Sequence, residues 1–316
     1  MLTDKKRVIL VVGPTAVGKT RFAIELAKNI GGEIISADSR QVYQKMDIGT
    51  GKDIGDYVVK GFSVPVHLID IVKAGFKYSI YDFQNDFRKA QKEITERGKK
   101  VIVCGGSGLH LETALGLYTL EEAPEDQQFR HEASTMSHDE LVQILAKLTK
   151  LHNTTDITDR NRLIRAIEVA KASHFVNKTE DTEQKISKAN KNLIFGIKMP
   201  REIIRQRIST RLQLRLNEGM IDEVEGLLKN DLKPEDIIYY GLEYKYITLY
   251  LIGEIDYNQM YEKLNTAIHQ FAKRQMTWFR RMEKKGIKIQ WLDGMNEPEK
   301  IALQITDIVG RTNYIS

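Results

Sequence analysis

The stretch Gly13-Pro14-Thr15-Ala16-Val17-Gly18-Lys19-Thr20 fits the spacing G-x-x-x-x-G-K-[ST]. No other feature limits the chain as strongly, because this spacing carries meaning only between a buried strand and a helix. Both flanks are present. Val8–Val12 is an apolar, β-branched run, and 19–30 carries Phe22, Ala23, Leu26, Ala27 and Ile30 at helical spacing before Gly31-Gly32. The glycines let successive backbone N–H groups converge on one anion, and the helix N-terminus adds partial positive charge. Gly13, Thr15, Ala16, Val17, Gly18, Lys19 and Thr20 are therefore expected to bind a polyphosphate or pyrophosphate. Lys19 would reach terminal phosphate oxygens, and the Thr20 hydroxyl would ligate Mg²⁺. Most chains with this loop use a nucleoside triphosphate, so phosphoryl transfer stands as one reading.

The rest of the pattern extends this unit. Further strands are expected at 33–37 and 101–104. Ser79, with Asp82 three residues on, opens a helix whose buried stripe is Phe83, Phe87, Ala90 and Ile94. Gly105-Gly106-Ser107-Gly108 then leads into another helix, and a strand at 193–197 precedes long helices at 200–217 and 257–281 and a final strand at 287–291. Strands alternating with helices predict an α/β fold, a P-loop NTPase-like parallel sheet flanked by helices with right-handed crossovers. Residues 117–185 contain no convincing strand; they offer helical stretches at 139–149 and 160–172 and a loop-like 178–188. The organisation expected is a core in two parts, 1–116 and 191–316, around a small all-helical insertion at 117–190.

Composition narrows the class. The 316 residues have no apolar run long enough to span a membrane and no signal peptide, and the single cysteine, Cys104, excludes an internal disulfide framework. A soluble, cytoplasmic protein with no obligate protein partner is expected. Net charge is only +5, but residues 273–288 hold seven Lys or Arg against one acid, Glu283, with Phe271, Trp278 and Phe279 nearby. Such a run reads either as a solvated helix face or as an anionic-ligand surface. Trp278 and Phe279 fit a core better than a base-stacking platform.

Asp38 follows the second strand, where open α/β sheets gather ligands. A carboxylate there can act as a general base toward a second substrate opposite the phosphates, or it can cap a helix or support the metal. Around it the chain reads Asp38-Ser39-Arg40-Gln41-Val42-Tyr43, then Met46-Asp47-Ile48-Gly49-Thr50. Together with Val64-Pro65-Val66-His67-Leu68-Ile69-Asp70, Tyr78-Ser79, Gly105-Gly106-Ser107-Gly108-Leu109, Arg162, Arg165-Ala166-Ile167-Glu168-Val169, Ala272-Lys273-Arg274-Gln275 and Thr277-Trp278-Phe279-Arg280, this resembles the tRNA dimethylallyltransferases. The blocks run in the family's order over nearly the whole chain.

The resemblance implies that the phosphate loop holds dimethylallyl diphosphate and that the prenyl group goes to N6 of an adenine beside the tRNA anticodon. It implies catalytic roles for Asp38 (base), Lys19, Thr20 and Arg211 (leaving diphosphate). It implies tRNA contacts from Asp38, Ser39, Arg40, Gln41 (reading the adenine), Ser107, Asn161, Arg162 and Arg165, with the inserted helices on the anticodon stem-loop; their charge makes Lys273 and Arg274 tRNA-phosphate candidates as well. Arg280 and Arg281 are further phosphate-contact candidates, and Lys273 and Arg274 could equally pair within the protein. Three departures stand out. Ser107 replaces a Thr, Asn161 replaces a longer Gln, and Val66 stands where a first His is common, so His67 is read as structural. A small-molecule P-loop kinase explains the loop and Asp38 but leaves the basic–aromatic helix idle. A prenyltransferase acting on free adenine nucleotides leaves the inserted basic residues idle.

Overall fold

A computed structural model describes residues 7–52, 57–59, 62–118, 122–148, 159–173, 182–230 and 232–313. The strands are β1 (Val8–Val12), β2 (Gly32–Ser36), β3 (Val58–Val59), β4 (Phe62–Ser63), β5 (Val66–His67), β6 (Lys100–Gly105), β7 (Leu193–Lys198) and β8 (Gln290–Asp293). The helices up to the middle of the chain are α1 (Lys19–Ile30), α2 (Ile80–Glu96), α3 (Gly108–Ala114), α4 (Gln127–Thr135), α5 (His138–Leu148) and α6 (Arg160–Ser173). Those that follow are α7 (Thr182–Ala189), α8 (Arg201–Asn217), α9 (Met220–Lys229), α10 (Pro234–Ile238), α11 (Leu242–Leu251), α12 (Tyr257–Lys284) and α13 (Pro298–Asn313).

Six strands form one parallel sheet in the order β5-β2-β6-β1-β7-β8. β1 is central, paired with β6 on one side and β7 on the other, and is buried along its whole length. That is why it reads as an unbroken apolar run and not as an alternating one. Alternation survives in three dimensions. Val8, Leu10 and Val12 pack into a layer with α2, α8, α9, α11 and α12, whereas Ile9 and Val11 face α1 and α13. The expected fold class is the observed one. The sheet's carboxyl edge, where β1, β2 and β6 end, carries the phosphate loop, the Asp38 segment and the 105–108 turn.

Local chemistry explains the elements that were legible. Both halves of the Ser79–Asp82 capping box form, and Phe83, Phe87, Ala90 and Ile94 are all buried. β2 lies one residue earlier than the expected 33–37. β8 lies three residues later than 287–291 at its start, since Ile287 packs into the core ahead of the strand.

Contacts divide the chain into two units, Thr119–Thr182 and the remainder. The smaller unit has its own core of Phe129, Ala133, Leu141, Leu145, Leu163 and Ile167, contributed by α4, α5 and α6. α4 was not anticipated; only Phe129 and Ala133 of its nine residues are buried, too few for a readable period. The expected loop at 178–188 is corrected in its described part: Thr182–Ala189 is helical. Ala189 is buried in the main core with Ile186 against it, and Asn190 bonds Gly286 O and Lys288 N. Those contacts attach residues from 183 onward to the larger unit and not to the insertion expected at 117–190. Residues 178–181 lie outside the described residues.

Candidate active site

The loop after β1 is shaped by close packing. A Cβ on Gly13 would lie 2.7 Å from the Ile197 carbonyl oxygen, so only glycine lets the loop leave β1 this near β7. Gly18, at φ 82°, caps α1 in the left-handed region, and Ala16 also has positive φ. Val17 is fully buried and anchors the loop to the core. Lys19 Nζ donates to Pro14 O at 2.8 Å. Burial lowers the Lys19 pKa to about 8; the Arg211 guanidinium adds to the drop, while Asp38 opposes it. The ammonium is thus short of negative charge, and a bound anion would restore its proton.

Two side chains from distant helices lock this loop. Gln275 on α12 accepts from Thr15 N at 2.8 Å and donates from Nε2 to Gly106 O at 3.0 Å. Arg211 on α8 donates to Thr15 Oγ1 at 2.5 Å. Burial raises the pKa of the Cys104 thiol to about 11, and the nearby Thr20 hydroxyl slightly opposes the rise. Gly106 and Gly108 leave room for Gln275 and Trp278 respectively, so the glycine turn and the α12 block are two halves of one contact. Ser107, half-buried, begins α3 from that turn.

Asp38 is half-buried, and its Oδ1 accepts from Arg40 N at 3.0 Å. Ser36 Oγ accepts from Asp38 N at 3.3 Å and donates to Gln41 Oε1 at 2.9 Å; Gln41 Nε2 donates to Gly51 O at 3.1 Å. Ser39 is half-buried beside them. Asp38 acts on the protonation of Lys19, of Cys104 and of Glu243. Asp38 therefore lies within electrostatic reach of the glycine loop.

Glu243 on α11 was missed from the sequence. Burial raises its pKa, Arg215 and Arg211 oppose the rise, and Asp38 adds to it. Nothing local to Gly241-Leu242-Glu243 signals this. Gln275 could have been found: it occupies a buried stripe running Leu264, Ile268, Ala272, Gln275, Phe279 and Met282, where an amide needs partners.

The remaining expected residues divide. Lys273 and Arg274 are exposed on α12, with Arg274 6.0 Å from the Phe271 ring, and Arg280 is exposed. Arg281 is held internally, 3.2 Å from the fully buried Glu112 and 3.9 Å over Trp278. Phe279 is core. His67 Nε2 lies 2.7 Å from Glu33, which also pairs with Arg97, on the edge strand β5. In the smaller unit, Asn161 and Arg162 are exposed at the start of α6, and Arg165 pairs with Glu168 at 3.0 Å beside Arg130.

Comparison with known proteins adds the lineage. The family described as IPP transferase matches residues 41–282. A curated tRNA dimethylallyltransferase 1 from Azobacteroides pseudotrichonymphae is 50% identical over 298 residues, covering 93% of this chain and 95% of that one. The crystal structure of a tRNA isopentenylpyrophosphate transferase from Staphylococcus epidermidis is 31% identical with a TM-score of 0.68, covering 97% of this chain and 100% of that one. Its counterpart from Bacillus halodurans is 29% identical with a TM-score of 0.69, and 96% of each chain is covered. With a family match over most of its length and 50% identity to a curated relative across 93% of it, the chain belongs to the IPP transferase family.

Proposed function

We propose that this enzyme transfers a dimethylallyl group from dimethylallyl diphosphate to N6 of an adenine adjacent to the anticodon in tRNA, releasing diphosphate. The observation that supports the reading is that Asp38, just past the end of β2, and the loop after β1 stand on the same carboxyl edge of the sheet, with Arg211 reaching that loop at Thr15 Oγ1. An amine delocalised into a purine is a poor nucleophile. A carboxylate accepting its N–H localises the lone pair and takes the proton, help worth roughly 10²–10⁴-fold. The N6–carbon bond forms while the allylic carbon–oxygen bond breaks, and the electron pair leaves on the diphosphate. Lys19, Arg211 and the loop N–H groups are arranged to stabilise that charge.

Thr20 would hold Mg²⁺. No cluster of three or more His, Cys, Asp or Glu forms a metal cage among the described residues. The donor set fits nonetheless, because Mg²⁺ commonly relies on one or two protein oxygens, substrate phosphates and water. When bound, the ion supplies further neutralisation of the leaving group.

Gln41, fixed between Ser36 and Gly51, is the group that reads the adenine, with Arg40, Ser39 and Ser107 around it. The helical unit at 119–182 holds the anticodon stem-loop through Asn161, Arg162 and Arg165, and Lys273 and Arg274 contact its phosphates. No described helix is long and apolar enough to cross a membrane. A tRNA substrate puts the reaction in the cytoplasm. The test is incubation with labelled dimethylallyl diphosphate, Mg²⁺ and unmodified tRNA, in parallel with AMP and ADP. Label on the tRNA adenine is expected; label confined to free nucleotide, or ATP-dependent phosphorylation of a small hydroxyl compound, overturns the reading.

A further inference from the structure

Tyr239 follows α10 in the turn toward α11, and 45% of its surface is open. Isolated exposed aromatics are common; this one is distinguished by how it is held. Its ring meets Tyr240 edge-on at 5.9 Å. Tyr240 is itself buried against Tyr43 at 4.6 Å, with its hydroxyl accepting from Gly75 N. The Arg40 guanidinium lies over the Tyr239 ring, 5.5 Å from its centroid. Gly241, at φ 130°, leaves the space the Arg40 arm uses: a Cβ there would lie 3.4 Å from Arg40 Nε. The backbone of Arg40 is in turn bonded to the Asp38 carboxylate at 3.0 Å. A rigid aromatic, a cation laid across it and the proposed base thus form one linked array.

We propose that Tyr239, with Arg40, is a stacking platform for the RNA base neighbouring the target adenine; this rests on the tRNA reading above. Turning the adenine out toward Asp38 strips the next base of a stacking partner. An exposed ring lying under the side chain of Arg40, two residues from Asp38, replaces that partner, and because every base has a π-face the replacement tolerates sequence. Arg40 adds a planar cation that both stacks and attracts the flanking phosphates. Since Tyr240 and Arg40 already hold the ring, little side-chain entropy is lost when the base arrives.

The experiment measures transfer from dimethylallyl diphosphate to an anticodon stem-loop RNA by wild type, Tyr239→Ala, Tyr239→Phe and Tyr239→Trp. The RNA carries an intact base or an abasic residue on either side of the target adenine. Tyr239→Ala should raise KM for RNA about tenfold, with kcat and KM for the diphosphate changing less than twofold, and Phe or Trp should restore it. With the abasic residue on the stacking side, the gap between wild type and Tyr239→Ala should close, as for two groups that act through each other. A gap that persists with both abasic RNAs, or no gap with intact RNA, overturns the platform while leaving the transfer reaction standing. Wild type that labels no RNA overturns both.

Discussion

The glycine loop after β1 and the Asp38–Lys52 segment leave the same edge of the sheet, yet they are held in opposite ways. The loop is a local structure: two glycines, a buried valine and a helix N-terminus place its N–H groups within eight residues of chain, and Gln275 and Arg211 only brace it. The Asp38–Lys52 segment has little regular structure and is held by side chains from elsewhere. Glu223, on α9, accepts from Asp47 N, Ile48 N and Gly49 N at 2.7, 2.8 and 3.0 Å and from Tyr244 OH at 2.7 Å. Buried Lys52 bonds Tyr43 O, Asp47 at 2.9 Å and Asp70. The lesson is that a glycine loop opening a helix can be encoded locally, whereas a long segment with little regular structure needs charged side chains from other elements to satisfy its backbone.

The sharpest break of this comparison is at the carboxylate itself. Asp38→Ala should lower turnover at least about a hundredfold with little change in tRNA affinity. Pre-steady-state transfer rates with an RNA-binding assay check this, and an affinity loss matching the rate loss would contradict the assigned role. Next comes Glu223→Ala, which removes one acceptor from four donors. It should cost about 2–3 kcal/mol in urea unfolding and raise KM for RNA while leaving diphosphate affinity nearly intact. Equal loss of both affinities would erase the distinction between the two regions.

Gln275→Ala should act on the other side, lowering diphosphate affinity about tenfold through the unsatisfied Thr15 N–H and the loosened loop; calorimetry with inorganic diphosphate reads it. The smallest effect is pH dependence. Free Lys19 loses its proton near pH 8, and the bound anion raises its pKa, so binding takes up a proton above that point. Diphosphate affinity should therefore fall by about fourfold between pH 7 and 8.5. Lys19→Met should flatten the profile, and an affinity that rises over that interval would reverse the sign argued for the site.

What was legible follows the same division. β1, α1, the capped α2 and the long α8 and α12 each carry their signal within their own residues, as period, cap or glycine stop. α4 and α7 did not, because short polar helices with one or two buried residues owe their existence to the surface they rest on. At the sheet's carboxyl edge, the positions of Lys19, Thr20 and Asp38 were readable from motif and element order. Glu243 and Glu223 were not: each is an ordinary acid on a helix until folding brings Arg215 and Arg211 within electrostatic reach of the one, or three backbone N–H groups against the other.

The sequence by itself determined that a strand would lead through a glycine loop into a helix, and that a carboxylate would stand just past the next strand's end. Tertiary structure alone decided that Gln275, 260 residues along the chain from Thr15, would fasten that loop to the 105–108 turn, and that Arg40 would lie across the Tyr239 ring. The reason is the range of the forces. Backbone geometry and helical periodicity are properties of neighbouring residues, whereas a buried amide or a stacked cation takes its partners from whatever the packed sheet and helices bring into reach.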